Sequence, residues 1–95
     1  MKVAKVIGNI WATKKEDSLA GYKLLLIQYI DVSDGSIKGN PEVAVDMIDA
    51  GVGETVIVVS GSSARNASGN TNLPVDATIV GIVDGLDIDG KKIKE

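Results

Sequence analysis

The sequence predicts an all-β fold, a small barrel of five short strands, on three observations. Gly, Asn and Pro break the 95 residues into short β-branched runs. Little of the chain is patterned as helix, so the runs have one another to pair with. With 44% hydrophobic but only 3% aromatic residues, aliphatic side chains must fill whatever core forms. A chain of this length makes one domain with a thin core and little room for a deep pocket.

The elements follow in order. Residues 2–13 read as a strand, with apolar or small residues on the even positions Ala4, Val6, Gly8, Ile10 and Ala12. Residues 14–20 form a charged loop, and 22–30 a second strand. Asp34-Gly35 and residues 38–41 carry turn chemistry. Glu42–Asp46 is a short third strand, although residues 43–50 also fit a helical pattern. Gly51-Val52-Gly53 breaks the chain before a fourth strand at 54–60. Residues 61–73 are a polar loop with room for one helical turn. Residues 75–89 form a fifth strand or a hairpin, and 90–95 a tail. Five strands with so little helix suggest a Greek-key barrel of the OB type.

The strand faces are anomalous. An antiparallel sheet with one wet face alternates apolar and polar residues. Here Leu24, Leu26 and Ile30 oppose Leu25, Ile27 and Tyr29, Val56 and Val58 oppose Ile57 and Val59, and Ile79 and Val83 oppose Val80 and Ile82. The connections 31–41 and 61–74 hold Gly35, Gly39, Pro41, Gly61, Gly69 and Pro74, which leaves no convincing crossover helix to cover a second face. Another copy of the chain is then the simplest cover, and self-association is expected.

Composition excludes several functions. The net charge of −3, from 10 basic and 13 acidic residues, provides no footprint for nucleic acid. The basic clusters, Lys14-Lys15 and Lys91, Lys92 and Lys94, read as solvated surface. With neither Cys nor His there is no disulfide, thiolate, zinc site or imidazole base. The longest apolar runs, 24–27 and 56–59, are far too short to span a membrane, and residues 1–10 do not read as a signal peptide. A cytosolic chain with no membrane partner is expected.

The motifs point to turns. Gly51-Val52-Gly53-Glu54 lacks a third glycine and leads into a strand, unlike a dinucleotide loop. Gly61-Ser62-Ser63-Ala64-Arg65 lacks the ending of a phosphate loop, and Ser62 or Ser63 is expected to cap a helical turn. Either Ser as a nucleophile would need a Lys or carboxylate base, and no spacing proposes one. Asp87-Ile88-Asp89-Gly90 has Gly85 where a calcium loop needs its first ligand. Asn66-Ala67-Ser68 is a chance match to a glycosylation acceptor.

Taken together, several segments resemble the EutN/CcmL family of microcompartment vertex proteins. They are Val6-Ile7-Gly8, Lys23-Leu24-Leu25-Leu26, Ala44-Val45-Asp46 and Ala50-Gly51-Val52-Gly53-Glu54. The likeness is sharpest at Gly61-Ser62-Ser63-Ala64-Arg65 and at Pro74-Val75-Asp76-Ala77, which leads into Val80-Gly81-Ile82-Val83-Asp84. Asp49 departs from the Gly expected before Ala50-Gly51, which bears on that turn alone. The resemblance implies one domain over 1–95, an OB-like barrel that assembles as a homopentameric ring. It also implies docking among hexameric shell proteins in a shell within the bacterial cytoplasm, with no enzymatic activity and no cofactor. Subunit-interface candidates are Ser62, Ser63, Ala64 and Arg65, with Gly51 and Gly53 setting the turn into the fourth strand. The alternative is an OB-fold binding module for oligonucleotide or oligosaccharide, against which three aromatics and an acidic balance argue.

Overall fold

The computed structural model describes residues 1–11, 19, 21–69, 74–88 and 90–94. Five strands close a barrel: β1 (Lys2–Ile10), β2 (Lys23–Tyr29), β3 (Glu42–Asp46), β4 (Thr55–Ser60) and β5 (Ala77–Ile82), in the order β1-β2-β3-β5-β4. Helix α1 (Gly61–Ser68) joins β4 to β5, and β6 (Gly85–Ile88) and β7 (Lys91–Lys94) form a separate two-stranded hairpin. The expected tail therefore contains a strand. The single helical turn expected after β4 is an eight-residue helix, closed by Gly69 at φ 81°. It starts at Gly61, so Ser62 and Ser63 lie inside its first turn and cap nothing. Residues 43–46 are strand and not helix, while positions 12 and 13, once expected to extend β1, lie outside the described residues.

All neighbouring barrel strands are antiparallel except β3 and β5, which pair in parallel through Val45–Thr78 and Asp46–Ile79. A parallel pair needs a long crossover, and β4 with α1 supplies it. The helix packs on the outside of β4 and β5, where the buried Thr78 hydroxyl donates to the Ala64 carbonyl at 2.7 Å. A crossover helix thus does cover part of the second face, contrary to the sequence expectation.

The interior is aliphatic throughout: Ala4, Val6, Leu25, Ile27, Ala44, Val56, Val58, Ala77 and Ile79 are buried in one cluster. At one mouth Asp46, its side chain fully buried, accepts the backbone N–H groups of Ile48 (3.1 Å) and Ala50 (2.8 Å) and pairs with Lys23 at 3.4 Å. At the other, Lys2 stands 5.0 Å over the Tyr29 ring, whose hydroxyl meets Glu42 at 3.4 Å. The barrel interior is filled, and an open cleft of about 720 Å³ lies at the second end, with Lys2, Tyr29, Lys38 and Glu42 along it.

Candidate assembly surface

One extra residue decides what the outer wall presents. Along β1 and β2 the register runs Ala4–Tyr29, Lys5–Gln28, Val6–Ile27, then Gly8–Leu26, Asn9–Leu25 and Ile10–Leu24. Ile7 is the unpaired residue of a bulge, and a bulge exchanges the faces on either side of it. Ala4 and Val6 therefore share the core face with Ile27, whereas Gly8 and Ile10 share the outer face with Leu26 and Leu24. The even positions of this strand were expected on one face; they divide at Ile7.

The outer face continues across β3, where Leu26 lies opposite Val43 and Leu24 opposite Val45. Two cross-strand rows result, Gly8–Leu26–Val43 and Ile10–Leu24–Val45. Val43 is 47% exposed and the bulged Ile7 44%; Gly8, Ile10, Leu24 and Leu26 are half-buried. Val45 is fully buried outside the central cluster, in register with the Thr78 that α1 covers. A shallow cleft of about 370 Å³ lies on this wall, with Leu24, Val43, Val45, Pro74 and Val75 along it. The two rows themselves are apolar, with Glu42 and Asp76 bordering the cleft, and the wall is too open to enclose a small molecule.

The sequence candidates fall elsewhere. Ser62 and Ser63 are exposed on the first turn of α1, and Ala64 is completely buried against its own barrel. Arg65 is half-buried; one guanidinium nitrogen donates to the Val75 carbonyl at 3.5 Å and lies 3.9 Å from Asp76, whose side chain is 90% exposed. Ala64 thus serves the packing of α1, and Arg65 ties α1 to the segment that enters β5. Gly51 and Gly53 form the expected turn: the Gly51 N–H donates to the Glu54 carboxylate at 2.6 Å and the Gly53 N–H to the Val6 carbonyl at 2.9 Å. Gly53 sits at φ 95°, where a side chain is strained.

A second apolar face on β2 was expected from the sequence; what was missed is that Gly8 and Ile10 join it, because a bulge leaves no trace in a pattern of alternation. The one signal was Gly8 inside a strand, a residue that often marks such an irregularity. The turn at Asp49 has its own explanation. Asp49 is at φ 59°, the left-handed region that glycine favours and Asp tolerates, and its carboxylate accepts Lys23 at 3.1 Å. That hydrogen bond, with Asp46 nearby, raises the Lys23 pKa above its ordinary value.

Among the described residues no cluster of carboxylates could hold a metal, and no helix is long and apolar enough to cross a membrane. A filled barrel with an apolar outer wall defines a structural building block, whose chemistry lies in its surfaces. The chain belongs to the EutN/CcmL family: residues 1–84 match the family described as ethanolamine utilisation protein EutN/carboxysome.

Its relatives are named for shells. The carboxysome shell vertex protein CcmL of Synechocystis sp. is 44% identical over 93% of this chain and 87% of its own length. The bacterial microcompartment shell vertex protein EutN of Salmonella typhimurium is 45% identical over 98% of this chain and 93% of its own. Among solved structures, the GrpN pentameric microcompartment shell protein from Rhodospirillum rubrum superposes with a TM-score of 0.81 at 41% identity, covering 93% of this chain and 99% of that one. These are structural shell proteins by name, not enzymes, and they lend no support to an oligonucleotide- or oligosaccharide-binding reading.

Proposed function

We propose that residues 1–95 act as one vertex-protein domain, a homopentamer that caps the corners of a polyhedral microcompartment in the bacterial cytoplasm. A closed shell of hexagonal units needs five-fold corners, and a heterologous contact repeated around a ring supplies one. The observation that carries the reading is the apolar strip on β1, β2 and β3, which a second copy buries most simply.

In this reading Ser62 and Ser63, open on α1, face the adjoining subunit, while Arg65 and the Gly51–Gly53 turn hold the segments that frame the contact. The outer rim of the ring meets hexameric shell proteins, and its acidic balance suits protein partners better than nucleic acid.

Sedimentation equilibrium tests the proposal. The purified chain should have five times the monomer mass. Leu26→Lys places an ammonium on the outer wall without entering the core and should give a folded monomer. A parent that stays monomeric sinks the reading. A six-fold mass keeps self-association and removes the vertex.

A further inference from the structure

The second end of the barrel gathers charges that the apolar strip does not use. Ala4 of β1 lies opposite Tyr29, and the Ile30 N–H donates to the Val3 carbonyl at 3.2 Å, which carries the register on to Lys2 beside Asp31. On the other side of this strand Ile30 bridges Ile37, and the Lys38 N–H donates to the Tyr29 carbonyl at 2.9 Å, so Lys38 lies opposite Tyr29. Opposed residues share a face of a sheet, and so do alternate ones. Lys2, Tyr29, Asp31 and Lys38 therefore stand together on the core side, where the sheet outruns the filled interior. The open cleft of about 720 Å³ lies over them, and Pro41 and Glu42 also line it. That is the volume of a small-molecule site.

Two ammonium groups and two carboxylates line the cleft, in two different situations. Asp31 is engaged locally: it accepts the Ser33 hydroxyl at 2.6 Å and the Ser33 N–H at 2.9 Å, and after these bonds the charge of Lys38 also helps hold its carboxyl below the ordinary value. Lys2 and Glu42 are held apart by Tyr29. The Lys2 ammonium stands 5.0 Å over the ring, and Glu42 meets the hydroxyl at the ring's tip at 3.4 Å. Among the described residues they form no ion pair, with each other or with any other group. A lone cation or anion here would satisfy one of them and face the other as a like charge. A molecule that carries both charges satisfies both. An α-amino acid hydrogen-bonded at each end spans about 8 Å, which matches the gap set by the ring and its two contacts.

We propose that this cleft binds a small zwitterion of the α-amino acid class, its carboxylate accepting from Lys2, its ammonium donating to Glu42 and its side chain lying along Pro41. The cleft is open and both charged partners reach water, so the affinity is low, with a Kd on the order of 1 mM. The apolar strip occupies the opposite face of the same strands. The site therefore draws nothing from the ring contact, and the two readings stand or fall separately.

The test uses the chain labelled with carbon-13 in its tyrosine rings, where Tyr22 and Tyr29 are the two reporters and Tyr22→Phe assigns them. Nuclear magnetic resonance follows both through titrations with leucine, with 4-methylpentanoate, which lacks the ammonium, and with isopentylamine, which lacks the carboxylate. Leucine should move the Tyr29 signal and leave Tyr22 in place, and each single-charge analogue should need about tenfold more to do the same. Lys2→Gln should bring leucine level with isopentylamine, and Glu42→Gln should bring it level with 4-methylpentanoate. A Tyr29 signal that ignores leucine up to about 100 mM overturns the site. Either analogue binding the parent as tightly as leucine overturns the zwitterion. Sedimentation equilibrium on the same samples reads the ring independently: a monomer that binds leucine keeps the site and loses the vertex, and a pentamer that ignores leucine does the reverse.

Discussion

A strand of the barrel has two hydrogen-bonded neighbours, and a strand of the hairpin has one. Closure gives the barrel an aliphatic interior shared by all five strands, so any core residue is coupled to the whole. The hairpin adds register pairs of its own, and among its described side chains Leu86 lies beside the barrel. The two regions differ in where their stability comes from. Burial holds the barrel, and whatever the hairpin lies against holds the hairpin. The loops belong with the hairpin in this respect: the segment after β2 is shaped by local bonds, with the Ser33 hydroxyl and N–H both donating to Asp31 and the buried Gln28 amide donating to the Lys38 and Gly39 carbonyls.

The largest effect expected from this contrast compares two leucines. Leu25 is completely buried, and Leu25→Ala should cost about 3 kcal/mol of global stability, the transfer loss plus a cavity. Leu86→Ala should cost about 0.5 kcal/mol, because only a half-buried side chain at the hairpin root is trimmed. Chemical denaturation of both variants under conditions that hold the oligomer state fixed reads the difference directly. Equal losses would show that hairpin and barrel unfold as one unit and would end the contrast.

A smaller effect belongs to the barrel mouth. Asp46→Ala removes the acceptor of two backbone N–H groups and strips Lys23 of its buried partner, at a cost of about 2 kcal/mol. Asp46→Asn keeps the shape but offers one acceptor in place of two, so it should fall between Ala and the parent. Thermal melts rank the three. An Asn variant as poor as Ala would mean that the charge opposite Lys23, and not the hydrogen bonds, holds the turn.

The smallest effect lies in the loop after β2. The Ser33 hydroxyl, and then its backbone N–H, hold the Asp31 carboxyl below its ordinary value of 3.8. A carboxylate with a depressed folded-state value stabilises its turn above the ordinary value and loses that contribution as pH falls through the folded one. The turn should therefore stay intact above pH 3.8 and loosen only in stronger acid. Carbon-detected NMR titration of Asp31 should place its midpoint below that of an unstructured Asp, and Ser33→Ala should move it back up. A midpoint that ignores Ser33 would remove the hydrogen bonds as the cause.

Much of this molecule was legible in its residues. Glu42–Asp46 was read with the bounds it has, and five strands were expected where five close the barrel, because β-branched runs between Gly and Pro are local signals. The absence of His and Cys excluded imidazole and thiolate chemistry before any fold was known, and double-faced strands announced that a second surface would be covered. What covers it was not local. The bulge at Ile7, which turns Gly8 and Ile10 outward beside Leu24 and Leu26, depends on how β1 registers against β2. The parallel pairing of β3 with β5, which places α1 on the outer wall and buries Ala64, depends on closure of the whole sheet. The strand at Lys91–Lys94 has no alternation strong enough to declare itself and exists through its register with β6. The periods of hydrophobicity record which residues avoid water, and that much the chain determines alone. Which of two apolar faces meets the core, and which is left for a neighbour, depends on pairings between residues distant in sequence, and only the tertiary structure decides those.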